Sequence, residues 1–342
     1  MSSASRRSAL ALFLVSMVAV AGCSAATVPV APTASGSPAA STPEATEGPL
    51  EVGIAQIVDH PSLNNLRDGF KQGMTEAGYV EGTDVVYEDR NASGDQATLT
   101  SIASGFRDKA LVVAIATPTA QAVAQAIPDK PIFFAGVTDP VGAGLVESLE
   151  APGSNLTGTS DFPPIADQLA LVKELVPYAS TIGLLYSSAE TNSHIHAQLV
   201  KDAAPGLGLT VQEATVANSS EVAQAAESLK DVDAFFVGND NTIVSAIESV
   251  VQVSEANQVP LIVSDPDSVE RGALAAYAVD YLAQGQQTGR MAASMLKFGR
   301  TPAEIPVETA ANLELSLNTG AAQRMGVTVP PAVLDRVDHT TE

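Results

Sequence analysis

The sequence predicts an α/β protein of two doubly wound, parallel-sheet lobes joined by a hinge. Three observations carry this expectation. Short apolar runs of strand length alternate with segments whose apolar residues recur every three or four positions. Runs such as 111–116 show no polar alternation, the pattern of a central parallel strand covered on both faces. The alternation stops at Pro152-Gly153 and then starts afresh, so the strand–helix units fall into two series.

In the first series, residues 50–58 read as a strand. Leu63, Leu66, Phe70, Met74 and Ala77 then keep helical spacing until Gly78 stops them. Residues 85–87 are the next strand, and Leu99, Ile102, Ala103 and Phe106 the next helical stripe. Strand 111–116, a helix opened by Pro118, strand 132–135 and a helix at 141–149 complete this half. The second series reads as helix 169–175, strand 182–186, helix 194–207, a short strand at Val211, helix 222–229 and strand Ala234–Val237. Helix 243–256, strands Leu261–Val263 and 273–279, and a long helix Tyr281–Phe298 follow. Strand 313–317 and helix 320–325 close it, with 335–342 expected to fray. The predicted organisation is lobe 1 at 50–158 and lobe 2 at 159–276, a return to lobe 1 at 277–302, and a strand–helix unit on lobe 2 at 303–334.

The N-terminus reads as an address. Arg6 and Arg7 precede an apolar run over 9–21 broken only by Ser16, and Val20-Ala21-Gly22-Cys23 follows. The run is short for a membrane span and ends in small residues, as a cleaved secretion signal does. The last four residues resemble the bacterial lipobox, whose cysteine thiol accepts lipid and becomes the new N-terminus. Cys23 is the single cysteine, so a disulfide framework and a cysteine-based metal cluster are both excluded. Residues 24–49 are rich in Ala, Ser, Thr and Pro without apolar periodicity, which predicts a disordered tether. An anchored body on a tether leaves capture, sensing, folding assistance and wall enzymology open.

The net charge is −22, and −24 once residues 1–22 are removed. So acidic a body excludes nucleic acid, which calls for a basic surface, and adsorption to anionic lipid. No Gly-x-Ser-x-Gly elbow and no phosphate-binding Gly-x4-Gly-Lys-Ser/Thr loop occurs. No cofactor is called for. A monomer is expected.

In doubly wound sheets ligands bind beyond the carboxyl ends of the strands, and two facing lobes can line one closable cleft. The residues at those ends are strongly polar: Asp59-His60-Pro61-Ser62, Thr117-Pro118-Thr119 and Thr138-Asp139-Pro140 in lobe 1, and Ser187-Ser188 with Asn192, Asn239-Asp240-Asn241 and Ser264-Asp265-Pro266 in lobe 2. Each Asp-Pro or Thr-Pro is also a good helix N-cap. Thr117-Pro118-Thr119 would make a carboxylate cradle, two hydroxyls beside a helix N-terminus. Asp240 and Asp265 would suit an ammonium, so an amino acid fits the pair of walls. Position at strand ends adds Asn192 and Tyr277.

The body resembles the ABC-transporter substrate-binding proteins that include the tryptophan/tyrosine-type binding lipoproteins. The resemblance is carried by Ile54-Ala55-Gln56-Ile57-Val58-Asp59-His60-Pro61, Ala114-Ile115-Ala116-Thr117-Pro118, Val137-Thr138-Asp139-Pro140-Val141-Gly142-Ala143-Gly144-Leu145 and Asn155-Leu156-Thr157-Gly158. Gly238-Asn239-Asp240-Asn241-Thr242, Ser264-Asp265, Gly272-Ala273-Leu274-Ala275 and Val279-Asp280-Tyr281 extend it over nearly all of 50–327. It implies a type I periplasmic-binding-protein-like fold, a permease and an ATPase as partners, and a small-molecule ligand, an amino acid and possibly an aromatic one. By motif the pocket would include Gln56, His60, Thr117, Pro118, Thr138, Asp139, Asp240 and Asp265. Phe162, Tyr186 and Tyr277 are the candidates for stacking on an aromatic ligand. A lipid-anchored enzyme using cleft carboxylates, a sensory receptor, and a sugar or nucleoside binder of the same fold stay open as other readings.

Overall fold

The computed structural model describes residues 48–310 and 313–342. The predicted signal, Cys23 and nearly all of the tether lie outside these residues.

Lobe 1 begins with β1 (Leu50–Gln56), α1 (Pro61–Glu76), β2 (Val85–Asn91), α2 (Gln96–Gly105), β3 (Leu111–Ile115), α3 (Thr117–Ala126), β4 (Ile132–Val137) and β5 (Leu156–Ser160). Lobe 2 holds α4 (Ile165–Leu175), β6 (Thr181–Ser187), α5 (Thr191–Ala203), β7 (Thr210–Val216), α6 (Val222–Ser228), β8 (Ala234–Val237), α7 (Asn241–Val244), α8 (Ile247–Asn257), β9 (Leu261–Val263), α9 (Asp267–Glu270) and β10 (Ala275–Val279). The chain then returns to lobe 1 as α10 (Tyr281–Phe298) and β11 (Glu308–Thr309). It ends on lobe 2 with β12 (Leu313–Asn318), α11 (Thr319–Arg324), α12 (Pro331–Leu334) and β13 (His339–Thr341).

The first sheet runs β11-β5-β4-β3-β1-β2, with parallel pairing throughout. The second runs β13-β12-β10-β9-β8-β6-β7, parallel except for β10 against β12. Within each sheet the first five strands of the lobe share one order, 2-1-3-4-5, so the two halves repeat one topology. Their central strands are buried along their whole length, as β3 and β8 show. The sequence pattern of unbroken apolar runs follows from helices covering both faces.

Four expectations fail. Residues 141–149 form turns, not a helix, because Pro140 and Pro152 flank the stretch and Gly144 within it stands at positive φ. The predicted helix at 243–256 is split into α7 and α8 at Ser245-Ala246. Residues 303–309 were expected on lobe 2, but β11 pairs with β5, and Ile305 and Val307 enter the first core. The tail does not fray: β13 pairs with β12, and the Asp338 carboxylate accepts the Leu315 N–H at 2.8 Å.

Helix α10 is held against α1 by four glycines. A Cβ at Gly69 would stand 2.2 Å from the Leu282 carbonyl oxygen, and one at Gly285 2.3 Å from that of Leu66. Gly73 and Gly289 meet the Gln286 and Phe70 carbonyl oxygens at 2.2 Å each. Backbone rests on backbone, so no side chain can move aside. Alanine normally favours a helix interior over glycine by roughly 0.5–1 kcal/mol. Here we expect Gly285→Ala to destabilise by about 1–3 kcal/mol through overpacking, read as a lowered urea midpoint. A midpoint at or above the parent's would show that the two helices can part.

Candidate functional site

A doubly wound sheet opens a crevice where neighbouring crossovers leave on opposite faces, here between strands one and three of each lobe. In lobe 1 that point lies between β1 and β3, and His60 and Thr117 follow those strands. In lobe 2 it lies between β6 and β8, followed by Glu190 and Asn192 and by Asn239 and Asp240. The two crevices face each other across one small cavity lined from both lobes.

Its walls are His60, Ser62, Leu63, Leu66, Ala116, Thr117, Gly136 and Thr138 from lobe 1, and Asn192, Asn239, Asp240, Asn241, Val244 and Asp265 from lobe 2. Asp161 and Tyr281 stand at the two crossovers. Hydrogen bonds tie the lobes together at its rim. Ser62 Oγ donates to Asp265 Oδ1 at 3.0 Å, and Asn65 Nδ2 to Asp267 Oδ1 at 2.9 Å. Thr191 Oγ1 donates to Gln121 Oε1 at 3.3 Å.

Polar groups inside this cavity are left without partners. Asp161 Oδ1, Asn192 Oδ1, Asn239 Oδ1, Asp265 Oδ2 and both ring nitrogens of His60 are buried and have no hydrogen-bond partner among the described residues. A buried polar atom without a partner costs about 1–3 kcal/mol, and native structures keep few of them. The amide orientations are fixed: Asn239 Nδ2 donates to Asp161 Oδ2 at 2.8 Å, and Asn192 Nδ2 to the Asn239 carbonyl at 2.7 Å. Asp161, Asn239 and Asn192 therefore form a connected chain with three free acceptor oxygens. On the lobe 1 side, α3 starts with no side-chain cap, after Ala116 at φ 71° and ψ 162°. That conformation is essentially reserved for glycine, and such strain gathers at ligand sites.

Electrostatics sharpen the contrast. Burial raises the pKa values of Asp161 and Asp265, and burial followed by the neighbouring Glu190 carboxylate raises that of Asp240. Burial, assisted by the Arg271 guanidinium, pushes the His60 imidazole down to about 4, so it is neutral at physiological pH. Arg271 itself is already paired with Glu248 at 2.7 Å. Among the described residues, no lysine or arginine lines the cavity.

Two acids are fully occupied. Asp240 Oδ2 accepts from the Ser187 N–H at 2.5 Å and Ser193 Oγ at 2.6 Å, and Oδ1 from the Ile243 N–H at 2.7 Å. Glu190 takes the Thr242 N–H and hydroxyl on Oε1, and Asn241 Nδ2 and Asn192 Nδ2 on Oε2. Asp240 thus pins α5 and α7 to β6, and Glu190 fixes the two asparagines that face the cavity.

Of the residues singled out in the sequence, His60, Thr117, Thr138, Asn192, Asp240 and Asp265 come together on the cavity wall. Gln56 does not: its amide donates to the Val58 carbonyl and to Asn64 Oδ1, bracing the turn into α1. Asp139 instead caps its own turn by accepting the Gly142 N–H at 2.8 Å. Pro118 faces a separate surface groove, and Thr119 is buried outside the cavity. Tyr277 fails because it lies inside β10, two residues short of its end, and faces a groove beside Leu313 and Leu315. Phe162 is half exposed, and Tyr186 packs on His194, so neither stacking candidate reaches the cavity. Asp161 escaped notice because the sequence reading assigns no strand over 156–160, and the end of β5 is what points to Asp161. Asn239, Asn241 and Ser62 sat in the strand-end motifs, where nothing distinguished them from Asp240. Tyr281 was hidden as the first residue of a helix.

The model of the family described as ABC transporter substrate binding protein matches residues 51–341. The chain belongs to this family. A relative named tyrosine-binding protein, from Clostridioides difficile (strain R20291), is 42% identical over 270 residues, 78% of each chain. An ABC domain from Streptococcus pneumoniae, solved in complex with L-Trp, is 37% identical with a TM-score of 0.82 over 86% of this chain and 100% of that one. A ligand-free, open substrate-binding protein with adhesive properties from Clostridium difficile is 35% identical with the same coverage, but its TM-score is 0.65. At nearly equal identity this substrate-binding protein matches the ligand-bound structure better. Its interlobe hydrogen bonds agree with a closed cleft.

Asp267, at the start of α9, reports on that closure. Burial, and then the nearby Asp265 carboxylate, raise its pKa to about 6. A folded pKa above the ordinary value of about 4 gives stability that is complete below pH ~4 and is lost as pH climbs to ~6. Asp267→Asn keeps the acceptor for Asn65 but removes the titration. We expect the stability of the variant relative to the parent to rise across that window, measured by thermal melts at stepped pH. A constant difference would show that Asp267 titrates normally.

Proposed function

We propose that this chain is the extracytoplasmic receptor of an ABC importer and that it captures an aromatic amino acid for delivery to a permease. The observation that carries the reading is the chain Asp161–Asn239–Asn192, whose three free acceptor oxygens match the three N–H donors of an α-ammonium. The ligand would supply the cation that the buried Asp161 lacks. Its α-carboxylate would lie against Thr117, Thr138 and the uncapped start of α3, where N–H groups and the helix dipole favour an anion. Leu63, Leu66, Gly136 and Val244 supply the apolar part of the lining, against which the side chain would pack, with Tyr281 as the aromatic neighbour. Relatives named for tyrosine binding and solved with L-Trp support the aromatic assignment.

Isothermal titration with a panel of amino acids tests it. We expect tyrosine or tryptophan to bind. We expect Asp161→Asn to weaken binding about ten- to hundred-fold, the worth of one charged hydrogen bond. Silence across the panel, or an unaffected variant, would remove the reading.

The receptor would be held at the outer face of the membrane by lipid on Cys23, with the permease and its ATPase as partners. Labelled palmitate fed to the producing cells should enter the parent, and Cys23→Ala should be unlabelled and shed into the medium. Retention of the label by the variant would refute the anchor.

A further inference from the structure

Behind the lobe 2 wall of the cavity lies a buried histidine that does not reach the cavity itself. His196, on α5, is 2% exposed and shares a crevice with the backs of Asn239 and Asp240. Its imidazole stacks on Phe236 of β8, with ring centres 5.8 Å apart and planes 17° off parallel. The ring also lies against the backbone of Gly238, where a Cβ would stand 2.2 Å from Nδ1 and Cε1. Ring and backbone fit together only because residue 238 has no side chain. Nε2 lies 3.4 Å from Ser264 Oγ, just past the end of β9.

The neighbours fix which way that bond runs. Gln168 Nε2 donates to the Tyr277 carbonyl at 2.9 Å, so Gln168 Oε1 accepts the Ser264 hydroxyl at 3.1 Å. With its proton so used, Ser264 Oγ accepts from His196, which carries its hydrogen on Nε2. Burial pushes the imidazole pKa down to about 4, in keeping with a neutral ring. Strands β8 and β9 are neighbours in the sheet. Asn239 follows Gly238, Asp265 follows Ser264, and each brings an unpartnered oxygen to the cavity wall. One ring therefore touches the residue before each of these two acceptors.

We infer that His196 is a positioning residue for ligand binding, holding the Gly238-Asn239 and Ser264-Asp265 turns in fixed relation so that both acceptors meet the guest already aligned. The inference rests on this cavity being the ligand site and not on the class of the ligand. Groups ordered before binding need not be ordered during it, and the saving shows as affinity. Helix α5 adds a second hold one turn earlier, where Ser193 Oγ donates to Asp240 Oδ2 at 2.6 Å.

The test compares variants of the purified full chain. His196→Leu removes ring and donor, whereas His196→Gln removes the ring but keeps an N–H donor of similar reach. Both lose the stack on Phe236, so both should unfold at a lower urea midpoint. In titration calorimetry with tyrosine and tryptophan we expect His196→Leu to bind about ten-fold more weakly than the parent, and His196→Gln to stay within about three-fold. Lowered midpoints with parental affinities in both, or equal losses in both, would overturn the inference. Ser264→Ala keeps the ring and its stack, which covers the case of a histidine variant that does not fold. Crystals of ligand-free Ser264→Ala decide the question without a ligand. Asn239 and Asp265 should shift relative to each other by more than about 0.5 Å, the tolerance of a preorganised site, and an unmoved pair would overturn the inference. Both lie on lobe 2, so opening of the cleft does not enter that comparison. If neither amino acid binds the parent, the amino-acid reading fails by itself and the crystals still judge His196.

Discussion

A carboxylate taken out of water must find donors or a cation, and this protein buries several around one cavity. The structure resolves the demand in two ways. Asp240 and Glu190 are saturated by backbone N–H, hydroxyl and amide donors, so their charges are spread into the start of α7 and the loop before α5. Asp161 and Asp265 are each satisfied at one oxygen and left bare at the other. The saturated pair builds the wall, and the half-satisfied pair makes the wall incomplete without a guest. An uncompensated buried acid also opposes closure, so the closed cleft gains most when a ligand brings its own positive charge.

The fold was legible because parallel strands covered on both faces cannot hide their composition. Strands such as β3, β8 and β9 appear in the sequence as unbroken apolar runs, and the repeat after Pro152-Gly153 announced a second lobe. What escaped were elements too short or too polar to show a period. The register of β11 and β13 is set by neighbours distant in sequence, and the glycines over 141–149 unmake a helix that apolar spacing alone suggested. The site was readable to the extent that strand ends were recognised. His60, Thr117, Thr138, Asn192, Asp240 and Asp265 followed from the rule that ligands sit at carboxyl ends. The rule does not reveal which atoms are already spent. Asp240 seemed a better ligand than Asn239, yet its oxygens are consumed by α5 and α7, while the modest amide carries the free acceptor. That distinction is a matter of hydrogen-bond satisfaction, which belongs to the folded state.

The lobes contribute unequally to the two ends of the cavity. Lobe 1 offers helix starts, α1 with His60 and Ser62, and α3 with Thr117, together with the apolar floor of Leu63 and Leu66. Lobe 2 offers side-chain acceptors. Closing the cleft thus brings a donor-rich, apolar wall onto an acceptor-rich one, and a zwitterion with an apolar side chain has the matching polarity. The crossovers are part of the site and not only a hinge, since Tyr281 donates its hydroxyl to Asp161 at 3.1 Å. Opening the cleft must therefore disturb the groups that hold the guest.

The glycine seam between α1 and α10 also bears on how the chain is made. Lobe 1 draws the helix that packs on α1 from residues more than two hundred positions after it, so its core cannot be completed until nearly the whole polypeptide is available. Forming such distant contacts is slow. A chain threaded from its N-terminus through a membrane would thus leave its leading half unfinished until the trailing part has followed, which keeps it pliable while it travels.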